Sequence, residues 1–430
     1  MSLFGSSGIR GKVGELITPE LVMSIGASVG ALNERIVIAK DTRTSGDMMV
    51  SALVAGICSV GSDAYCAGVL PTPTLARAAA GYDAGLMVTA SHNPAEYNGV
   101  KMWNPDGSAF DPEQTAMVER RIIDSDFINR PYDMLGGMHR HEGALEEHRQ
   151  AVASQLSCDG DVVLDCAAGP TSLITPGLLG DMGGRVLTLN CQMDGRFPGR
   201  MPEPTEENLQ DLVSLVRTHG GIGLAHDGDG DRVVAVDEKG RYLGGDVLLA
   251  MFVDHLRPRR VAVPIDASLA IEDLVGDVLR TRVGDVYISD AMKKQGIAFG
   301  GEPSGTFVFA DQGYCPDGVY AAALIASMAS EGRLCDRVDS LPSYPMEKRK
   351  YRYDKAKGAI EAALEEEVGS LECEEVIDID GFRVNLGDAW FLIRFSGTEP
   401  IIRLTAEARD GERLKETVES AEALLRRCMS

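Results

Sequence analysis

Short apolar runs alternate with stretches of three- to four-residue apolar spacing along most of the chain. Runs of the first kind predict strands, and the second kind predicts amphipathic helices. The first region gives strands at 36–39, 64–66 and 85–89, with helices at 46–60 and 72–80. The second gives strands at 162–166, 185–189 and 221–225, with helices around 172–181 and 206–217. The third gives strands at 260–263, 285–288 and 298–300, with helices near 270–280 and 289–295. Each is a strand–helix–strand–helix–strand series, which builds parallel neighbours covered by helices. Past residues 342–345 the pattern becomes a meander, with strands at 380–386, 389–395 and 401–406, closed by an amphipathic helix at 411–428.

The expected fold is therefore α/β: three similar α/β domains with mixed, mainly parallel sheets, plus a smaller C-terminal α+β domain. Their limits are placed at 1–143, 144–245, 246–341 and 342–430. A polar segment follows the third strand of each repeat, the second and third of them bearing glycine: ASHNP at 90–94, DGDGDR at 227–232 and GEPSG at 301–305. Open α/β sheets put ligands at the carboxyl ends of their strands, so three such loops imply domains arranged around a central cleft.

Composition narrows the partners. The 430 residues exceed one ordinary core, and 44% hydrophobic with 25% charged residues is the make-up of a soluble globular chain. A formal net charge of −23 disfavours nucleic acid and anionic membrane. An anionic small molecule would then need a few placed cations. The nine cysteines contain no C-x-x-C pair and are odd in number, so reduced, mostly buried thiols are expected. The segment MSLFGSSGIRGK lacks the apolar core of a signal peptide, and the longest apolar stretch, around 321–329, is too short for a membrane span. A cytoplasmic protein is expected, either monomer or homodimer.

Asp227, Asp229 and Asp231 alternate with glycines, so in an extended backbone their carboxylates point to one side and can converge on a hard cation. The aspartates also match the first, third and fifth positions of an EF-hand loop. However, Arg232 stands where that loop needs glycine, and the flanks are strands rather than helices. A different enzyme class would use Asp227 as a nucleophile, but it leaves Ser91 without a role. Ser91 follows a strand directly; His92 is next to it, although neighbouring side chains diverge in an extended chain. Lys101 supplies an ammonium able to carry a proton if desolvated. Glu302 and Ser304 suit hydroxyl recognition. Arg394, Ser396, Gly397, Thr398 and Arg403 combine guanidinium, hydroxyl and amide donors fit for a phosphate, and Arg10 lies in a glycine-rich N-terminal loop.

Together these segments resemble the α-D-phosphohexomutase family. The matching stretches are FGSSGIRG at 4–11, TASHNP at 89–94, NGVKM at 98–102, DGDGDR at 227–232, GEPSG at 301–305 and RFSGTEP at 394–400, spread over nearly the whole chain. The resemblance implies that Ser91 carries a phosphoryl group and that Asp227, Asp229 and Asp231 bind Mg²⁺ together with it. It implies sugar contacts at Glu302 and Ser304, and a hold on the non-reacting phosphate by Arg394, Ser396, Gly397 and Thr398. Arg10, Lys101 and Arg232 would stabilise charge or move protons. The implied reaction interconverts hexose 6-phosphate and hexose 1-phosphate through a sugar 1,6-bisphosphate. Glucosamine phosphate is the expected substrate; a mannose or glucose phosphate is the alternative, and a non-catalytic sugar-phosphate binder is the non-enzyme one. Relatives often carry histidine where this chain has Thr306, so that group's work would pass to Asp285 or Lys101.

Overall fold

The computed structural model describes residues 3–5, 8–396 and 400–429. The first sheet holds β1 (Ile9–Lys12), β2 (Arg35–Lys40), β3 (Asp63–Val69), β4 (Ala84–Val88), β5 (Tyr97–Trp103) and β6 (Met138–Arg140), in the order β1-β5-β4-β2-β3-β6. β2 runs parallel to β3 and β4, whereas β5 is antiparallel to β4 and β1. Along β2 the side chains divide by twos: Ile36 and Ile38 enter one core cluster, Val37 and Ala39 another. That alternation leaves both faces apolar, so helices must cover both.

The second sheet, ordered β11-β10-β9-β7-β8, contains β7 (Asp161–Asp165), β8 (Arg185–Leu189), β9 (Ile222–His226), β10 (Val233–Val236) and β11 (Tyr242–Leu243). In the third region β12 (Val261–Pro264) and β13 (Val278–Thr281) are parallel. β14 (Phe299–Glu302) and β15 (Thr306–Phe309) form an antiparallel hairpin. The C-terminal sheet comprises β16 (Met346–Arg352), β17 (Glu375–Ile377), β18 (Phe382–Asn385), β19 (Ala389–Phe395) and β20 (Ile401–Ala408), with every neighbouring pair antiparallel.

The third region corrects two sequence expectations. Residues 285–288, expected as a strand, form the first turn of the helix Asp285–Gln295. The strand lies instead at β13, overlapping the end of the span expected as the helix 270–280, and that helix stops at Leu274. The alternation in Val-Gly-Asp-Val-Tyr-Ile misleads because Gly284 takes φ 135 and turns the chain. Asp285 then sits in the first turn of the helix, where a carboxylate meets unpaired amides.

By their contacts, residues 1–251 and 284–340 form one unit, and residues 252–283 with 341–430 form another. The second unit is discontinuous and is tied together by buried polar groups. Glu407 accepts hydrogen bonds from Ser268 Oγ (2.6 Å), the Leu269 amide (2.7 Å) and Trp390 Nε1 (2.7 Å). Arg383 donates to the Ile265 and Ala267 carbonyls and stacks on the Trp390 ring. All nine cysteines are free thiols. Among the described residues, no helix is long and apolar enough to cross a membrane.

Candidate active site

β4 delivers the chain to Ser91, which is almost fully buried and has φ 50, a left-handed conformation rare outside glycine. Its amide donates to Thr89 Oγ1 at 2.9 Å. The left-handed turn also brings His92 back towards its neighbour, and Ser91 Oγ lies 3.3 Å from His92 Nδ1. The divergence expected for an extended chain is thus corrected. Burial and the nearby charges of Arg232 and Arg10 depress the imidazole pKa to about 2, so His92 is neutral at pH 7.

The acidic loop joins β9 to β10. Ser91 Oγ donates to Asp227 Oδ2 at 2.8 Å. The other Asp227 oxygen accepts from the amides of Gly230 (2.9 Å) and Arg232 (3.3 Å). Asp229 Oδ2 accepts from Thr72 Oγ1 (2.6 Å) and Lys101 Nζ (2.8 Å), and Asp231 Oδ2 from Lys101 Nζ (2.5 Å). One oxygen from each of the three aspartates falls within 4.8 Å of the others. Burial and the two neighbouring carboxylates hold the Asp227 carboxyl well above the ordinary range. Burial pushes Asp229 the same way, but the charge and hydrogen bond of Lys101 prevail and lower it.

Asp229 Oδ1 and Asp231 Oδ1 are buried without a hydrogen-bond partner. Buried carboxylate oxygens in that condition are costly, and a hard divalent cation would relieve the cost. The donor set therefore fits such an ion. Lys101, buried on β5, is held charged because the two aspartates overcome its desolvation. In this arrangement it is a counter-ion rather than a free base. Packing between the two loops is tight: a Cβ on Gly228 would stand 2.4 Å from the Ser91 carbonyl oxygen.

The β14–β15 hairpin adjoins the same loop, since the Val233 amide donates to the Gly305 carbonyl at 3.1 Å and Arg232 bridges Thr306. Glu302 accepts from the Gly284 amide (2.7 Å) and from Ser304 Oγ (3.2 Å), and Ser304 also bonds Thr306 Oγ1 at 2.9 Å. Arg232 is half-buried, and despite desolvation the charges of Asp231, Asp227 and Glu302 raise its pKa. Arg10, on β1, pairs in register with Gly99, and its buried Nε lacks a hydrogen-bond partner. Asp285 and Lys101 line one crevice with Gly8 and Phe110.

Ser91, His92, Lys101, Arg10, Arg232, the three aspartates, Asp285, Glu302 and Ser304 all belong to the first unit. The remaining candidates belong to the second. Arg394 and Arg403 are direct cross-strand partners on β19 and β20. Like charges so placed repel unless an anion intervenes. Asp380 supplies part of that compensation, 3.0 Å from Arg394 Nε. The Ser396 amide donates to the Ile401 carbonyl at 2.9 Å. Gly397 and Thr398 lie outside the described residues.

Sequence inspection missed the layer behind the serine. Asp41 and Arg43 follow β2, at the strand end where ligand-bearing loops are expected, so position alone could have flagged them. Arg200 is similarly hidden: it reaches Asp165 Oδ1 (3.1 Å) and the His226 carbonyl (2.6 Å) beneath the acidic loop.

Four family models for phosphoglucomutase/phosphomannomutase match in order: α/β/α domain I at residues 1–129, domain II at 144–240, domain III at 244–344 and the C-terminal domain at 346–424. A probable phosphoglucosamine mutase of Methanosarcina acetivorans is 43% identical over 100% of both chains. The phosphoglucosamine mutase of Methanococcus maripaludis is 35% identical over 99% of each. Among solved structures, a phosphoglucomutase/phosphomannomutase family protein from Burkholderia thailandensis superimposes with a TM-score of 0.89 at 26% identity, covering 99% of this chain and 97% of that one. With the serine loop, the acidic loop and the β14–β15 hairpin all in one unit and all four domain models in sequence, the chain belongs to the phosphoglucomutase/phosphomannomutase (α-D-phosphohexomutase) family.

Proposed function

We propose that the protein is an isomerase that interconverts glucosamine 6-phosphate and glucosamine 1-phosphate through phospho-Ser91. The observation that carries this is the buried Ser91 Oγ, 2.8 Å from Asp227 Oδ2, beside two carboxylate oxygens that want a cation. Full-length relatives named phosphoglucosamine mutases support the choice of an amino sugar.

In the forward direction the bond from phosphorus to Ser91 Oγ breaks as one forms to the free sugar hydroxyl, whose proton leaves. The product is a sugar 1,6-bisphosphate. After it turns round, its other phosphoryl group returns to Ser91 and the second hydroxyl is released. Asp227, Asp229, Asp231 and phospho-Ser91 would hold Mg²⁺, which neutralises charge on the moving phosphoryl group. Arg10, Lys101 and Arg232 place fixed positive charge around the same serine, in a water-poor setting where it acts strongly. Neutral His92 orients the Ser91 hydroxyl. Lys101 is locked between two aspartates, so the proton of the sugar hydroxyl falls to Asp285, which shares its crevice. Glu302 and Ser304 would contact the sugar, Glu302 through the 2-ammonium group. In the second unit, Arg394, Ser396 and Arg403 offer an anion cradle.

The test is turnover of glucosamine 6-phosphate, mannose 1-phosphate and glucose 1-phosphate by the purified protein with Mg²⁺ and a trace of the matching bisphosphate. Preference for glucosamine phosphate is expected, and comparable turnover of all three would remove the amino-sugar assignment. Ser91→Ala should lose at least ~10³-fold in kcat, the phosphoryl acceptor being gone. Peptide mass mapping should find phosphate on Ser91.

A further inference from the structure

We infer that Arg43 is a positioning residue for phosphoryl transfer, fixing Ser91 from behind without touching the substrate. This rests on the proposal that Ser91 carries the phosphoryl group. A guanidinium has five N–H groups, and here each has an acceptor. Nη1 donates to the carbonyls of Pro94 (2.6 Å) and Tyr97 (2.8 Å), and Nη2 to those of Ser91 (2.8 Å) and Asn93 (2.7 Å). Nε donates to Asp41 Oδ2 at 3.0 Å. The group is buried and lies over the Phe197 ring, 5.1 Å from its centroid. One cation therefore gathers four carbonyls of the loop that presents the serine.

Asp41 links this grip to the other side of Ser91. Its Oδ2 also accepts from Thr89 Oγ1 at 2.7 Å, and Thr89 Oγ1 in turn accepts the Ser91 amide at 2.9 Å. Ser91 is thus held at its carbonyl by Arg43 and at its amide by Thr89, with Asp41 joining the two holds. A non-glycine residue at φ 50 persists only where its surroundings over-determine it, and this ring of bonds does so. In-line transfer in two substrate orientations needs one fixed nucleophile. An ångström of drift costs on the order of 100-fold in rate. Lysine cannot replace Arg43, because a single ammonium has three donors and no planar fork to span four carbonyls.

Arg43→Lys and Thr89→Val are to be compared with the wild type by steady-state kinetics, thermal melting and single-turnover transfer from phospho-Ser91 to glucosamine 6-phosphate. Arg43→Lys is expected to lower kcat and the single-turnover rate by roughly 100-fold, with KM within threefold. Thr89→Val keeps the side-chain shape but strands the Ser91 amide and one Asp41 oxygen, so it should lower both rates about 10-fold with a melting temperature lowered by a few degrees, and it decides the matter if Arg43→Lys does not fold. Wild-type rates in a folded variant, or a raised KM with unchanged kcat, would overturn the inference. If the wild type never carries phosphate on Ser91, the proposed function fails first; if it does and the variants transfer equally fast, only the role of Arg43 fails.

Discussion

Asp317 shows how one buried carboxylate sets a local pH dependence. It accepts from the Tyr320 amide at 2.8 Å and lies 3.1 Å from His148 Nε2, whose Nδ1 meets Thr74 Oγ1 at 2.9 Å. Burial raises the Asp317 carboxyl, but His148 and the Tyr320 amide outweigh it, so its pKa falls below the ordinary carboxylate range. A depressed folded pKa means that the unfolded chain binds the proton first on acidification. The stabilisation is therefore complete above the unfolded value near pH 4 and is lost as pH falls through the lower folded one. Asp317→Asn keeps an acceptor for Tyr320 but loses the charge facing His148. Its melting temperature at pH 7 should drop by a few degrees, and its acid limb should flatten. An acid limb identical to wild type would refute this account. At this scale Asp227, Asp229 and Asp231 were legible as a candidate cation site because three carboxylates two residues apart stay close together, although a bent loop with Gly230 at φ 78, rather than an extended backbone, gathers them. His148 and Asp317 were not, because a lone histidine or aspartate carries no spacing signal, and Arg43 was marked only by its place after β2.

Loop packing is the element-scale question. The acidic loop and the serine loop touch through Gly228, where no side chain fits against the Ser91 carbonyl. Gly228→Ala must separate the loops by several tenths of an ångström, lengthening the Ser91–Asp227 bond. The expected outcome is a kcat loss of about 100-fold with a small change in melting temperature. A variant with normal kcat would show that the loops have slack. Position of the loops was readable because each follows a strand, and strand ends in open sheets are free of packing duty. The strand β13 was not, because its four residues sit between a short helix and a glycine turn with no clean period.

For the molecule as a whole, discontinuity is the feature that contacts create. The 252–283 segment joins the 341–430 segment through Glu407 and Arg383, far apart in sequence. Glu407→Ala would strand the Ser268 hydroxyl, the Leu269 amide and the Trp390 indole together, costing about 3 kcal/mol. Denaturant unfolding followed by Trp390 fluorescence in a Trp103→Phe background measures that cost, and an unchanged midpoint would show that these donors have other acceptors. Chelation acts at the same scale. Stripping divalent cations should abolish turnover and lower the melting temperature, both restored by Mg²⁺, since binding stabilises the folded state by mass action. Turnover that survives exhaustive chelation would remove the cation from the proposal.

Local chemistry along the chain determined the domain order, the three strand-end loops and the candidate cation triad, because periodicity and residue spacing are properties of neighbours. Tertiary structure alone decided that Lys101 neutralises Asp229 and Asp231, that His92 turns back to Ser91, and that Arg43 grips the serine loop. Each of those contacts depends on where a strand or a left-handed turn aims a side chain. Burial then fixes its charge state, and neither orientation nor burial is written at a single position in a sequence.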